Sequence, residues 1–190
     1  MVTPETIAVR YRVDASRSRF TVQAFASGLF SAFGHNPTIA IRGFGGDARC
    51  VSSTLEEASL LLLVQADSLA VTDKVSDKDR REIERMMRED VLETARYPEI
   101  VFMSTKVSAN RMAQNEYRVR IDGNLSLHGV TRACPVDARV TVNGDNLRAQ
   151  GEFSLRQTDY RINPVSVVGG TLKVKDELKF SFDISAIEQA

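Results

Sequence analysis

The chain has 190 residues, 43% of them hydrophobic, which is the composition of one globular domain and not of a disordered chain. Lys+Arg and Asp+Glu balance at 25 each, so no overall basic excess points to nucleic acid or to an anionic membrane surface, and basic character is confined to local patches such as "RYRVDASRSR". The longest apolar run, Leu60 to Val64, is far too short to span a bilayer.

The N-terminal stretch "MVTPETIAVRYRVDASRSR" has no apolar segment after Met1. A cytoplasmic location is therefore expected, or a periplasmic one if a leader was removed. The first predicted strand carries Phe20, Val22 and Ala24 on one parity and Arg19, Thr21 and Gln23 on the other. Such period-2 alternation places apolar side chains on one face of an extended segment and polar ones on the opposite face. A loop, "SAFGHNPT", follows, marked by the Gly before His35 and by Asn-Pro after it. Leu60, Leu62, Val64 and Ala66 form the next apolar row.

"SDKDRREIERMMREDVLE" breaks the pattern and reads as a helix from Asp77 to Glu93. Ser76 is its N-cap, and Asp77 and Asp79 lie in the first turn, where the helix dipole favours negative charge. Ile83, Met86, Met87 and Val91 fall at helical spacing, and Pro98 ends the segment. Strand character then resumes at Ile100 and Phe102. Four further rows follow: Tyr117 to Leu127 on odd positions, Val136 to Val142 on even ones, Leu147 to Leu155 on odd ones, and Leu178 to Ile184 on even ones. Turn signals separate the runs: "ANRMAQNE", "NGDN", and the pair at Gly169. Many short strands with one inserted amphipathic helix give a mainly β fold, an antiparallel sandwich or barrel, expected to form a single domain over residues 1–190.

Chemistry-bearing motifs are few. His128 is on the polar parity at a strand end, next to Gly129, and is expected to face outward and hydrogen-bond a turn. His35, in a loop, is the better functional candidate of the two histidines. No HxH, HExxH or CxxC spacing is present, so no metal site is assigned. No G-x-S-x-G or supported S-x-x-K appears, and "RGFGGDA" and "VVGGTL" lack the frame of a phosphate loop. Cys50 and Cys134 are too few for a disulfide scaffold and are expected to be free and partly buried. No catalytic residue and no cofactor is assigned.

What remains is the inward apolar surface. A closed barrel of about eight strands is either filled or holds one small ligand. Ala24, Gly123, Ala138, Ala149 and Gly151 are small residues at inward positions, read here as room for a ligand. The candidate cavity lining is Phe20, Val22, Phe33, Leu60, Leu62, Val64, Met86, Ile100, Phe102, Leu125, Leu127, Phe153, Phe180 and Phe182. The "SAFGHNPT" loop and the helix face of Ile83, Met86 and Met87 are read either as a gate or as fillers of core gaps.

Four stretches together resemble the YceI-like proteins, also called polyisoprenoid-binding or lipid-binding YceI-like domains. "YRVDASRSRFTVQAFASG" resembles the family's opening strand. "SLAVTDKVSDKDRREIERMMREDVLETARYPEIVFMST" resembles its charged helix and the following Tyr-Pro-x-Ile-x-Phe-x-Ser, at Tyr97, Pro98, Ile100, Phe102 and Ser104. "GNLSLHGVTRACPV" is similar to its Gly-x-Leu-Thr-Leu-His-Gly-Val-Thr-Lys element, with Ser126 where Thr is common. "GEFSLRQTDYRINP" is similar to its penultimate strand and turn, at Arg156, Asp159 and Tyr160. The resemblance implies an antiparallel lipocalin-like β-barrel with a helix beside it. It also implies an apolar pore for an isoprenoid or other amphiphilic chain, and a homodimer. The leading expectation is a binding or carrier protein for a polyisoprenoid, quinone or fatty acyl chain. A hydrolase or isomerase working at the barrel mouth with His35, and an interaction module with a filled barrel, are the alternatives.

Overall fold

A computed structural model describes residues 8–27, 36–51, 54–55, 57–167 and 172–189. The alternating rows become twelve strands: β1 (Ala8–Ser27), β2 (Thr38–Ile41), β3 (Phe44–Val51), β4 (Ser59–Gln65), β5 (Leu69–Val71), β6 (Glu99–Ala113), β7 (Glu116–Leu127), β8 (Val130–Ala133), β9 (Val136–Asn143), β10 (Asn146–Arg156), β11 (Ser166–Val167) and β12 (Leu172–Gln189). The helix α1 (Asp77–Met86) lies between β5 and β6.

All strand pairs are antiparallel, and eight strands close a ring in the order β1-β3-β4-β6-β7-β9-β10-β12. Pairing of β12 with β1 shuts it, with Phe20 opposite Phe182 and Val22 opposite Phe180. Closure removes the open sheet edges that would otherwise invite aggregation. β1 breaks register between Asp14 and Arg19. There Asp14 accepts hydrogen bonds from the backbone N–H and the hydroxyl of Ser16, and Ser18 Oγ accepts one from the Ser185 N–H. Beyond this bulge β1 leaves β3 and pairs with β2 instead, and β2 pairs with β5. β2 and β5 thus continue the wall outside the ring.

α1 starts as the sequence predicts. Ser76 Oγ accepts the Asp79 N–H at 3.1 Å. The helix closes in a wider turn, Met87–Val91, in which the Leu92 N–H donates to Met87 O. Two of its side chains complete the backbone of β5: the Val71 N–H donates to Glu84 Oε1, and Arg80 donates to the carbonyls of Val71 and Asp73. The edge of β5 that faces away from β2 is in this way covered by the helix.

The interior divides lengthwise. Around Tyr11, Cys50, Tyr117, Val119 and Val140 the barrel is filled. The rest of the inward face belongs to two clusters, one around Phe102, Leu125, Leu127 and Tyr160, the other around Phe20, Val22, Ile39 and Val64. These two surround open space.

Candidate functional site

The site is the barrel interior. Because side chains alternate along a strand, each wall strand delivers every second residue inward. β1 delivers Phe20, Val22 and Ala24, β4 Leu60, Leu62 and Val64, β6 Ile100 and Phe102, and β7 Ile121, Leu125 and Leu127. β10 and β12 deliver Phe153, Leu155, Leu178, Phe180 and Phe182. α1 and the turn after it close one side with Ile83, Met86, Met87, Val91 and Leu92. The enclosed cavity has a volume of about 410 Å³, within the usual range for sites that hold a small organic ligand. Its wall is largely aromatic on the β10–β12 side. Phe153 stacks on Phe180 at 4.7 Å between centroids, and Phe20 meets Phe182 edge-on at 6.5 Å.

Of the fourteen residues predicted to line a cavity, thirteen stand on its wall. Phe33 lies outside the described residues, as do His35, the pair at Gly169 and most of the loop read as one half of a gate; from that loop Pro37 touches the cavity. Small inward residues do not all make room as expected. Ala24, Ala138 and Ala149 line the cavity. At Gly123 and Gly151 the space is already occupied. A Cβ at Gly123 would stand 2.4 Å from the Phe102 ring, and one at Gly151 would stand 2.6 Å from Phe182. The rings lie in the notches that the glycines leave, so these two residues seat aromatic side chains.

His128 also departs from expectation. It does serve a turn, but its side chain, 10% exposed, is turned onto the protein and does not face outward. It and Gly129 both have positive φ (51° and 72°), the backbone of a two-residue hairpin turn between β7 and β8. The ring then lies against Tyr97 at 4.6 Å. His128 Nδ1–H donates to Tyr160 O at 3.2 Å, and Nε2 is hydrogen-bonded to Glu93 Oε2 at 2.6 Å. The residue therefore ties three segments together: the hairpin, the exit of the helix, and the turn after β10. It is not on the cavity wall.

Sequence reasoning missed two polar side chains on that wall. Cys134 is buried and free, and desolvation pushes its thiol up from the ordinary range. Gln157 is 4% exposed and opens the turn Gln157–Tyr160, a single 3-10 turn. Both continue a period-2 row: Cys134 precedes Val136 and Ala138, and Gln157 follows Phe153 and Leu155. The turn is fastened from outside by Asp176, whose carboxylate accepts from the Thr158 N–H (2.8 Å), the Thr158 hydroxyl (2.7 Å) and Arg156 Nε (2.9 Å). The Thr158 hydrogen bonds, with that of Arg156, hold the Asp176 carboxyl below its usual range. Next to Cys134, Tyr160 is buried and its phenol is pushed up to about 12, chiefly by desolvation.

Charged pairs lie on the outer wall. Arg148 meets Asp183 on β10 and β12, Arg120 meets Asp137 on β7 and β9, and Arg10 meets Asp47 on β1 and β3. Among the described residues no cluster of three or more His, Cys, Asp or Glu could hold a metal ion. No described helix is long and apolar enough to cross a membrane.

This architecture, a closed antiparallel barrel around an apolar interior, is that of a lipocalin-like barrel. The YceI-like domain matches residues 11–186, and the chain belongs to that family. Solved structures share the fold. A polyisoprenoid binding domain from Saccharophagus degradans, implicated in plant cell wall breakdown, superposes with a TM-score of 0.68 at 15% identity, over 94% of this chain and 98% of that one. Burkholderia cenocepacia BcnA gives 0.67 at 15% identity, over 91% and 98%. The Campylobacter jejuni YceI protein gives 0.62 at 12% identity, over 82% and 87%. No curated protein matches the chain.

Proposed function

We propose that this chain is a binding or carrier protein that sequesters an apolar chain, of the polyisoprenoid, quinone or fatty acyl class, inside the barrel. The cavity carries the reading: about 410 Å³ walled by apolar side chains, with Gln157 and the Cys134 thiol as the exceptions among the described residues. A chain moved from water to such a wall gains about 0.8 kcal/mol per buried methylene, without directional contacts along its length. The similarity in fold to a polyisoprenoid binding domain supports the same reading.

A charge in the middle of the wall tests this. Leu62→Arg should abolish uptake of a fluorescent apolar probe while circular dichroism and melting still report a folded barrel. Unchanged uptake in the folded variant would place the ligand outside the cavity.

Two further parts of the reading concern setting. A cytoplasmic location agrees with two free cysteines, Cys50 and Cys134; recovery from a membrane or periplasmic fraction would refute it. A homodimer agrees with an apolar strip on the outer wall, where Leu61 pairs with Met103 across β4 and β6 and Leu63 lies two residues on. All three of these side chains are exposed. Leu63→Glu should shift the sedimenting species from dimer to monomer, and a wild-type protein that sediments as a monomer would remove the dimer from the reading.

A further inference from the structure

Gln157 is a polar side chain in a place that repels polarity. It is 4% exposed, and among the described residues every other side chain on the cavity wall, apart from the Cys134 thiol, is apolar. Burial of a carboxamide is unfavourable unless its hydrogen bonds are made. One is made: Gln157 Nε2 donates to Lys175 O of β12 at 2.9 Å. A backbone carbonyl only accepts, so this bond fixes which way the amide is turned. The nitrogen faces β12, and Oε1 is the end left over.

Among the described residues nothing donates to Oε1. Nor is it sealed in protein, because the described side-chain oxygen or nitrogen that is both enclosed and unpartnered is Tyr11 Oη. Gln157 lines the cavity, so a ligand there can supply the donor that this acceptor lacks among the described residues. Its position is held firmly. The Gln157 carbonyl accepts the Ile162 N–H at 3.1 Å, and Asp176 clasps the next residue, Thr158, twice. A rigid, single acceptor in an apolar chamber discriminates among ligands, because a group that cannot donate leaves it unmet.

The charge on the wall narrows the ligand further. Among the described residues no lysine, arginine or histidine lines the cavity. A phosphate or carboxylate brought beside Gln157 would lose its hydration and meet the carboxamide oxygen with no cation to compensate. A neutral hydroxyl loses far less and supplies the missing donor.

We infer that Gln157 is the specificity-determining contact of the cavity, and that the ligand it selects is a long-chain alcohol, an uncharged apolar chain ending in a hydroxyl that donates to Gln157 Oε1. This rests on the carrier reading proposed above and narrows it from apolar chains in general to one head-group chemistry.

Displacement of a bound fluorescent apolar probe by three ligands of one chain length tests it: farnesol, the hydrocarbon farnesene, and farnesyl monophosphate. In the wild-type protein farnesol should displace the probe at about 3- to 10-fold lower concentration than farnesene, the range of one neutral hydrogen bond. Farnesyl monophosphate should be the weakest of the three. Gln157→Met keeps the length of the side chain and removes the acceptor; farnesol should lose its advantage over farnesene, the ratio of the two falling to about one. Equal displacement by farnesol and farnesene in the wild type, a phosphate that outcompetes the alcohol, or a preference that survives in the variant would each overturn the inference and leave the carrier reading in place. If the wild-type protein takes up no probe at all, the carrier reading falls and the inference with it. The wild-type order decides on its own, so a variant weakened by loss of the bond to Lys175 does not remove the test.

Discussion

A methyl group at Gly123 would stand 2.4 Å from Cζ of Phe102 and 2.8 Å from Met103 O, distances that real Cβ atoms do not adopt. Phe102 is itself on the cavity wall, across the strand pair from Leu125. The glycine therefore sets the tilt of the ring, and the ring sets the shape of the chamber. Gly123→Ala should cost about 1–3 kcal/mol in a denaturant titration, as overpacking of a core does, and should narrow the cavity at the same time. A variant of unchanged stability would mean that Phe102 swings aside freely. Neither glycine notch was legible in the sequence. An inward glycine reads as empty space until one knows which neighbour reaches across, and for Gly123 that neighbour is 21 residues away in the chain. His128 was misread for a similar reason. Its parity put it on the polar face, but the positive φ of the turn breaks strand parity, and its partners Glu93 and Tyr160 come from distant segments.

At the scale of elements, α1 differs from the strands it covers. It has no fully buried residue, although Ile83, Met86 and Met87 reach the cavity. Polar contacts attach it to the wall along its length: Arg80 and Glu84 bond to the backbone of β5 and to the residues after it, and Glu93, past the helix, bonds to His128. On its outer side Arg85 pairs with Glu82 and Glu89 one turn away in either direction, exposed contacts that contribute little to holding the helix on the barrel. Beside these contacts the cover presents an apolar stripe of isoleucine and methionine to the chamber. Methionine repacks with small loss, so a ligand in the chamber gains contacts with this stripe and steadies it. Hydrogen exchange should slow more at residues 76–93 than at residues 116–127 when an apolar chain is bound. Equal slowing in both segments would make the helix a fixed part of the wall. The start and the apolar face of α1 were readable from Ser76 and from the spacing of Ile83, Met86 and Met87. The wider turn at Met87–Val91 was not, since it answers to where the chain must go next to bring Glu93 to His128.

For the molecule as a whole, the inward rows were legible because a wall with one wet and one apolar face must alternate. What alternation leaves open is the closing register: β1 had to cross from β3 to β2 through a bulge at Asp14 for Phe20 to meet Phe182. That register decides which inward residues share a chamber and which join the filled end. It separates the two cysteines. Cys50 belongs to the filled end with Tyr11 and Tyr117, whereas Cys134 stands on the cavity wall. Burial pushes both thiols up from their ordinary range, so both should react slowly at neutral pH, because the thiolate is the reactive form. Their environments differ in one respect that a ligand changes. A chain in the cavity covers Cys134 and leaves Cys50 as it was. With a small apolar maleimide, labelling of Cys134 should slow several-fold when the cavity is occupied, while labelling of Cys50 keeps its rate, both followed by peptide mass spectrometry on one sample. Cys50 serves as the internal control for general tightening of the fold. If both rates fell together, the ligand would be stabilising the barrel from some other site; if neither changed, the chamber around Cys134 would not be where the chain resides.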